Sequence, residues 1–324
     1  NYRVKFKKLS FEDMIDNFIN DAEVPKDIDI LIVDEAQDCS KPQIKALRKA
    51  ATLTKRFIFI GDADQTIHEY AGSDPTFFYR LSSTEEAKAN ELTEGLRCGK
   101  TINEICKRII YPVWKQWGDN AERTWTPREG ITGRSLWIPS IEQSCIAKDK
   151  LVEKILNTDE TFLFTFRGTP SDIKIRQFFI ENAIEFSHID SSPFVSKKEL
   201  RAHYLWEDFL DGKPMSLTQI KEFWDYLSSK VKIFGKGKVN TFDEWIKQDY
   251  TVDQLIEKKY LKRDCKTHRD FDLIRKRVDK HDRRMTYIKS VLRKGFDFNK
   301  DIRVKYGNIH TIKGLTFDNV IVDL

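Results

Sequence analysis

Two short apolar runs that each end in acids constrain this chain more than any other feature. Ile28 to Val33 reads I-D-I-L-I-V and stops at Asp34-Glu35-Ala36-Gln37-Asp38. Arg56 to Ile60 reads R-F-I-F-I and stops at Gly61-Asp62-Ala63-Asp64-Gln65-Thr66-Ile67-His68-Glu69-Tyr70-Ala71-Gly72. Each run is strand-sized and nearly continuous in β-forming apolar residues, the pattern of a parallel strand covered on both faces. A helical segment, Gln43 to Ala51, lies between them, so the order predicts a βαβ unit. Ligands bind at the carboxyl ends of strands in open α/β sheets. Two adjacent acids there are placed to hold a metal ion and polarise a water. The same residues also suit a plain strand-to-helix turn, with Asp38 or Ser40 capping the helix that begins Lys41-Pro42-Gln43. Both readings can hold at once.

At 324 residues the chain is long enough for two domains, or for one large domain with an insertion. Its charged fraction of 33% is high, yet 40% hydrophobic residues, including 22 Phe and 7 Trp, supply a sizeable core and argue against wholesale disorder. The longest apolar runs are far shorter than the 18 or so residues of a membrane span. The opening Asn1-Tyr2-Arg3-Val4-Lys5 has neither an initiator Met nor the layout of a signal peptide, so the true N-terminus is expected elsewhere. Five Cys with no CxxC pair argue for a reducing compartment, with the cytoplasm as default, and against a disulfide framework or zinc ribbon.

The net charge of +5 is too mild to diagnose a nucleic-acid binder. It is also unevenly spread. Leu261 to Lys300 carries 14 Lys and Arg against 6 Asp and Glu, which leaves the rest of the chain slightly acidic. Phe271, Ile274, Val278, Met285, Ile288 and Leu292 recur there at mostly three- and four-residue spacing, as on an amphipathic helix. Alone, such a run reads as a solvated helix face; beside other signs of nucleic acid it reads as a phosphate-tracking surface.

The two strand ends together resemble the Walker B segment and the motif that follows it in the UvrD/Rep-like superfamily 1 DNA helicases. Three further stretches agree in order. Leu9-Ser10-Phe11-Glu12-Asp13-Met14 resembles the short segment that precedes Walker B. Leu92-Thr93-Glu94-Gly95-Leu96-Arg97-Cys98 resembles the Arg-bearing motif that opens the second motor domain. Asn308 to Val320, with His310-Thr311-Ile312-Lys313-Gly314-Leu315-Thr316-Phe317, resembles the H-x-x-K-G-L-E-F motif near its end. Residues 191 to 300 match no such motif.

The resemblance implies roles residue by residue. Asp34 would help hold Mg²⁺ and Glu35 would orient the attacking water of ATP hydrolysis. Gln65 would sense the γ-phosphate, and Arg97 would act as an arginine finger. Lys313 and Gly314 belong to the motif that links the nucleotide cleft to bound single strand, with His310 on the DNA side. Tyr70 stands where the family places a base-stacking aromatic and His68 where it often has Tyr. Arg167, after the strand-like run Thr161 to Phe166, lies near a DNA-contacting motif. Arg275, Lys276 and Arg277 of the basic stretch would touch duplex DNA.

The sequence departs from the family pattern at Leu96, where a Tyr usually packs on adenine, at Thr316, where a Glu usually meets the ribose, and at Ala71, a common Arg. No G-x-x-x-x-G-K-[ST] phosphate loop occurs in these residues. Gly95-Leu96-Arg97-Cys98-Gly99-Lys100-Thr101 has one intervening residue too few and, on its sequence, follows no strand. The P-loop segment is therefore expected upstream in the same protein, and the last Arg motif downstream, with the chain itself a fragment. His268-Arg269-Asp270 lacks the spaced Asn of a kinase loop. Cys265, His268 and His281 lack the second Cys pair of a zinc site.

The expected fold is α/β: RecA-like parallel-sheet motor domains with an inserted, mainly helical accessory domain. Residues 1–88 would be the later part of the first motor domain, 89–190 plus 300–324 the second, and 191–299 the insertion. Its helices are predicted at Lys197 to Leu210, Leu217 to Ser228, Phe242 to Lys247 and Val252 to Lys262, with the basic helix after them. The implied function is an ATP-dependent helicase or translocase with Mg²⁺, moving 3′ to 5′ on single-stranded or forked DNA in repair or replication. Such a chain would work in the cytoplasm of a bacterial or phage-infected cell at the nucleoid, or in a nucleus, and not at a membrane. The alternative is a non-catalytic DNA-binding or partner-docking module derived from a helicase.

Overall fold

The computed structural model describes residues 9–23, 27–52, 54–74, 76, 78, 80, 88–118, 122–127, 129–131, 133–136, 145–227, 231–233, 249–267 and 283–323. The chain folds as two compact units, residues 1–137 and 138–324.

The first unit begins with helix α1 (Phe11–Asp21), started by a reciprocal cap in which Asp13 N donates to Ser10 Oγ at 3.1 Å and Ser10 N donates to Asp13 Oδ2 at 2.7 Å. Strands β1 (Ile30–Val33) and β2 (Arg56–Phe59) pair in parallel, Val33 beside Phe59, with helix α2 (Lys41–Ala51) as the crossover. Ser40 is the cap of α2: its N–H donates to Gln43 Oε1 at 2.7 Å, and Pro42 occupies the first turn. Lys49, in the last turn of α2, donates to the carbonyls of Phe18 and Ala22 at 2.8 and 2.7 Å and so closes the end of α1. The expected burial on both faces is corrected. Ile30, Ile32 and Ile58, on one face of the pair, are 46%, 58% and 41% exposed, because the alternation is half-buried against exposed.

Farther along, β3 (Glu94–Gly95) pairs in parallel with β4 (Thr126–Pro127), and the long helix α3 (Lys100–Trp117) runs between them. Residues 88–93 carry no strand, in keeping with the loop-like reading, and only Glu94 departs from it by joining Gly95 in a two-residue strand. The P-loop reading fails on other grounds. Gly99 is buried as the cap of α3, and the Lys100 N–H is already donated to the Ile131 carbonyl at 3.1 Å. A phosphate cradle needs such groups free.

The second unit is built on a four-stranded parallel sheet in the order β6-β7-β5-β8. Its strands are β5 (Phe162–Phe166), β6 (Phe186–His188), β7 (Val304–Asn308) and β8 (Asn319–Asp323). Every residue of β5 is buried, as its run F-L-F-T-F demands of a central parallel strand. Helix α4 (Cys145–Asn157) leads into β5, and α5 (Thr169–Glu181), entered through Gly168 and Pro170, leads out of it. Phe179 of α5 packs edge-on against Phe164 at 4.8 Å.

Between β6 and β7 lie α6 (Lys197–Leu210), α7 (Leu217–Trp224), α8 (Val252–Glu257) and α9 (Arg283–Arg293). Ala202, Leu205, Trp206 and Phe209 form a helical stripe that meets Ile220, Phe223, Trp224, Val252 and Leu255 in a core of its own. Each fully buried aromatic there contributes about 1.5–3 kcal/mol. Leu200, Tyr287, Ile288 and Val291 belong instead to the core of the sheet.

Two helix expectations are corrected, the first at α7, which ends at Trp224 rather than running on to Ser228. Helix α8 ends at Glu257 rather than Lys262: Lys259 takes a left-handed conformation, φ 58°, and Tyr260 N donates back to the Leu255 carbonyl at 2.9 Å. Leu261 then bridges to Lys232. The basic stretch opens with a 3₁₀ turn, Arg263–Thr267, before α9. The apolar positions Phe271, Ile274 and Val278 lie outside the described residues, as does the helix predicted at Phe242 to Lys247. No helix among the described residues is long and apolar enough to cross a membrane.

Candidate functional site

The parallel pairing of β1 with β2 sets their carboxyl ends side by side. Ile60 N donates to the Val33 carbonyl at 2.8 Å, and Ala36 N to the Ile60 carbonyl at 2.9 Å. The acids after β1 therefore adjoin the Gly61-to-Gln65 turn after β2. Asp34 and Glu35 are both exposed. Glu35 has φ 52° and ψ 39°, a left-handed conformation that costs a residue with a Cβ about 1–2 kcal/mol. Its N–H donates to Asp34 Oδ1 at 2.9 Å, which leaves Oδ2 of Asp34 outside that bond.

One buried side chain stitches the two ends together. Gln37 is 0% exposed; its Nε2 donates to Glu35 Oε2 at 2.5 Å and its Oε1 accepts from Asp62 N at 3.0 Å. Gly61 makes room for this, since a Cβ there would stand 2.3 Å from Gln37 Oε1 and 3.2 Å from Ala36 N. Asp62 in turn accepts from Gln65 Nε2 on Oδ2 at 2.8 Å and from Asp64 N on Oδ1 at 3.1 Å. Glu35 and Gln65 thus belong to one hydrogen-bonded chain through Gln37 and Asp62.

Asp62 and Asp64 are themselves held from outside the turn. Arg123 Nη1 donates to Asp62 Oδ1 at 3.0 Å and lies 3.9 Å from Asp64 Oδ2. The indole N–H of Trp114, on α3, donates to Asp64 Oδ1 at 2.8 Å. Burial pushes the Asp64 carboxyl above its ordinary range, opposed by the Trp114 hydrogen bond and then by Arg123. Trp125 packs edge-on against Trp114, ring centres 5.7 Å apart, and donates to Asn103 Oδ1 at 3.0 Å.

Among the remaining candidate residues of this unit, Arg97 is exposed in the loop between β3 and α3. His68 caps a 3₁₀ turn, Glu69–Ala71, that contains Tyr70; Tyr70 is 75% exposed and its hydroxyl lies 3.4 Å from His68 Nδ1.

In the second unit, β5 and β7 end together, Phe166 beside Asn308, and Ile309 N donates to the Phe166 carbonyl at 3.1 Å. Arg167, exposed, and His310, half-buried, follow these strand ends directly, so the structure brings them to one edge of the sheet. Lys313 is half-buried and Gly314 exposed in the turn that follows, where Gly314 has φ 81°. A cleft at this edge is lined by Phe166, Thr169, Asp172, His188, Asp190 and Asn308. Arg275, Lys276 and Arg277 lie outside the described residues.

Residues 4–86 match the family model of the UvrD/REP helicase N-terminal domain. This segment is UvrD-like. No curated protein matches the chain as a relative. The UvrD-like segment contains α1, β1, α2, β2, the acids after β1 and the Gln65 turn; Arg97 and all candidates beyond it lie outside the match. Among the described residues no three His, Cys, Asp or Glu side chains cluster as a metal site. Cys265 is fully buried in the helical core, and burial pushes its thiol up to about 11.

Gln37, Trp114 and Arg123 escaped the sequence reading. Gln37 carried one usable signal, its place between the paired acids and a strand end that closes on Gly. Trp114 and Arg123 carried none.

Proposed function

We propose that this chain is part of an ATP-dependent DNA helicase or translocase, moving 3′ to 5′. The observation that carries the reading is the linkage of Glu35 to Gln65 through Gln37 and Asp62, inside a segment matched by the UvrD/REP family model. Hydrolysis of a nucleotide and the sensing of its terminal phosphate require a water-orienting acid and a polar sensor close together, and the adjoining strand ends that carry Glu35 and Gln65 support that assignment.

Asp34 and Glu35 fit a Mg²⁺·ATP complex. Mg²⁺ is held through one or two carboxylates together with phosphate oxygens, and both acids are exposed at the strand end. The bound ion would neutralise charge on the phosphates. In this reading Glu35 orients the attacking water and accepts its proton, Gln65 donates an amide hydrogen to the terminal phosphate, and Arg97 offsets the charge that develops there. Lys313 and Gly314 contact nucleotide and His310 single-stranded DNA, Tyr70 and His68 stack on bases, and Arg167 meets phosphates. Arg275, Lys276 and Arg277 contact duplex at a fork. The phosphate loop would come from outside these 324 residues. The accompanying domain division, 1–88, 89–190 with 300–324, and 191–299 inserted, rests on the order of the motifs.

The test is phosphate release from ATP with and without single-stranded DNA, on residues 1–324 and on the complete gene product, beside Glu35→Gln. The fragment is expected to bind single-stranded DNA without turnover, and the complete product to show DNA-stimulated turnover that Glu35→Gln abolishes. Turnover unaffected by Glu35→Gln would overturn the reading.

A further inference from the structure

We propose that Arg123 is a positioning residue for Gln65, acting through Asp62 and backed by Trp114; the inference rests on the function proposed above. The geometry is a short relay. Arg123 Nη1 donates to Asp62 Oδ1 at 3.0 Å, and the other oxygen of Asp62 holds Gln65 Nε2 at 2.8 Å. A primary amide has two N–H groups. Asp62 takes one and fixes the rotation of the side chain, leaving the second for another acceptor from an otherwise exposed residue.

The carboxylates explain why a cation is needed here. Asp62 and Asp64 sit two residues apart in one tight turn, Asp64 N already donating to Asp62 Oδ1 at 3.1 Å. Their like charges favour spreading the turn. Arg123 lies against both, at 3.0 and 3.9 Å, and Trp114, 3% exposed, donates to Asp64 from helix α3 at 2.8 Å. Arg123 itself is largely covered, its side chain 22% exposed, so its charge is screened less than that of a surface residue. Loss of Arg123 leaves two neighbouring carboxylates without their shared cation, and Gln65 moves with Asp62. Positional errors of about an ångström cost roughly a hundredfold in rate when they reach the reacting centre; a relay one residue removed is expected to cost less.

The experiment uses the complete gene product and measures single-stranded-DNA-stimulated ATP hydrolysis for Arg123→Ala, Arg123→Lys, Trp114→Phe and Glu35→Gln, with the thermal midpoint of each. Arg123→Ala is expected to lower kcat about tenfold with KM for ATP within about twofold, the split that a positioning role predicts. Arg123→Lys restores part of the loss. Trp114→Phe keeps the aromatic packing, deletes the donor to Asp64 and lowers kcat by roughly threefold, which preserves the test should Arg123→Ala fail to fold. Unchanged kcat in folded Arg123→Ala, or a loss that Lys does not relieve and that follows the thermal midpoint alone, overturns the inference while Glu35→Gln still kills turnover. Turnover that survives Glu35→Gln overturns the parent reading and this inference with it.

Discussion

The side-chain amide of Gln37 joins Glu35 to the backbone of Asp62, donating to one at 2.5 Å and accepting from the other at 3.0 Å. Both ends of the amide are used, and the residue is completely buried. Gln37→Leu conserves approximate volume but strands the Asp62 N–H and removes the amide bond to Glu35. A buried donor left without a partner costs about 1–3 kcal/mol. Urea unfolding of residues 1–324 is expected to show a loss of that size, and an unchanged midpoint would mean that water replaces the amide.

Gly61 is the steric counterpart of that bond. Its φ is not in the left-handed region, so the requirement for glycine comes from space alone: a Cβ would lie 2.3 Å from Gln37 Oε1 and 3.2 Å from the Ala36 backbone nitrogen and a Phe78 ring carbon. Gly61→Ala therefore has to expel the Gln37 amide or open the strand ends. Overpacking of this kind costs about 1–3 kcal/mol. Pairing it with Gln37→Leu in a double-mutant cycle is expected to show strong coupling, because both changes break the same contact.

The parts of this molecule that the sequence made legible are those where one residue type has few alternatives. The run from Thr161 to Phe166 reads as a strand and forms one at Phe162–Phe166, and Ser196, Ser216 and Thr251 mark the starts of α6, α7 and α8 through side chains that accept from the backbone N–H three residues on. The adjacency of Asp34-Glu35 to Gly61-Gln65 followed from the βαβ order. Contacts made by distant residues left no periodic trace: the Trp114 and Arg123 bonds span 50 and 61 positions. In the basic stretch the apolar spacing that pointed to a helix ends in α9 (Arg283–Arg293), while charge alone did not show that Arg263–Thr267 is a 3₁₀ turn or that Arg284 serves an internal ion pair.

That ion pair supplies the next prediction. Arg284 grips Glu199 with two bonds, Nε to Oε1 at 3.1 Å and Nη2 to Oε2 at 2.5 Å, donates to the Phe194 carbonyl, and stacks 5.4 Å from the Phe194 ring centre. Glu199 is only 6% exposed. Arg284→Ala leaves that carboxylate buried and unpaired, a change that costs about 3–5 kcal/mol. Replacing both residues together, Glu199→Leu with Arg284→Met, is expected to recover most of the loss, since it removes the desolvation cost with the attraction. Denaturant midpoints of the single and double variants decide it.

Glu185 makes stability depend on pH in the opposite sense to an ordinary salt-bridged acid. Burial pushes its carboxyl up from 4.5 to about 7, against the pull of Lys197 and Arg303 and with a further push from Asp297. The folded chain holds this proton more tightly than the unfolded chain. Stability from Glu185 is therefore full below about pH 4.5 and is lost as pH rises toward 7, by roughly 2–3 kcal/mol. Glu185→Gln removes the titration, so its advantage over the parent chain should grow between pH 5 and pH 8. Unfolding midpoints across that range that shift in parallel would refute the assignment.

Tyr70 gives the sharpest separation between a structural and a functional residue. It is 75% exposed, its hydroxyl lies 3.4 Å from His68 Nδ1, and the His68 and Tyr70 ring centres are 5.9 Å apart at 59°. An aromatic so open contributes little burial, so Tyr70→Ala should leave the unfolding midpoint within about 0.5 kcal/mol of the parent. A base stacked on the ring, by contrast, is worth about 1–3 kcal/mol. Single-stranded DNA affinity, read by fluorescence anisotropy, should fall roughly 5- to 150-fold in Tyr70→Ala and be retained in Tyr70→Phe, because the π-face and not the hydroxyl carries the contact. The loss should be nearly equal for different base compositions and should leave the salt slope of binding unchanged, since stacking releases no counterions. A reduced salt slope would instead place the defect in the phosphate contacts and remove Tyr70 from the stacking surface.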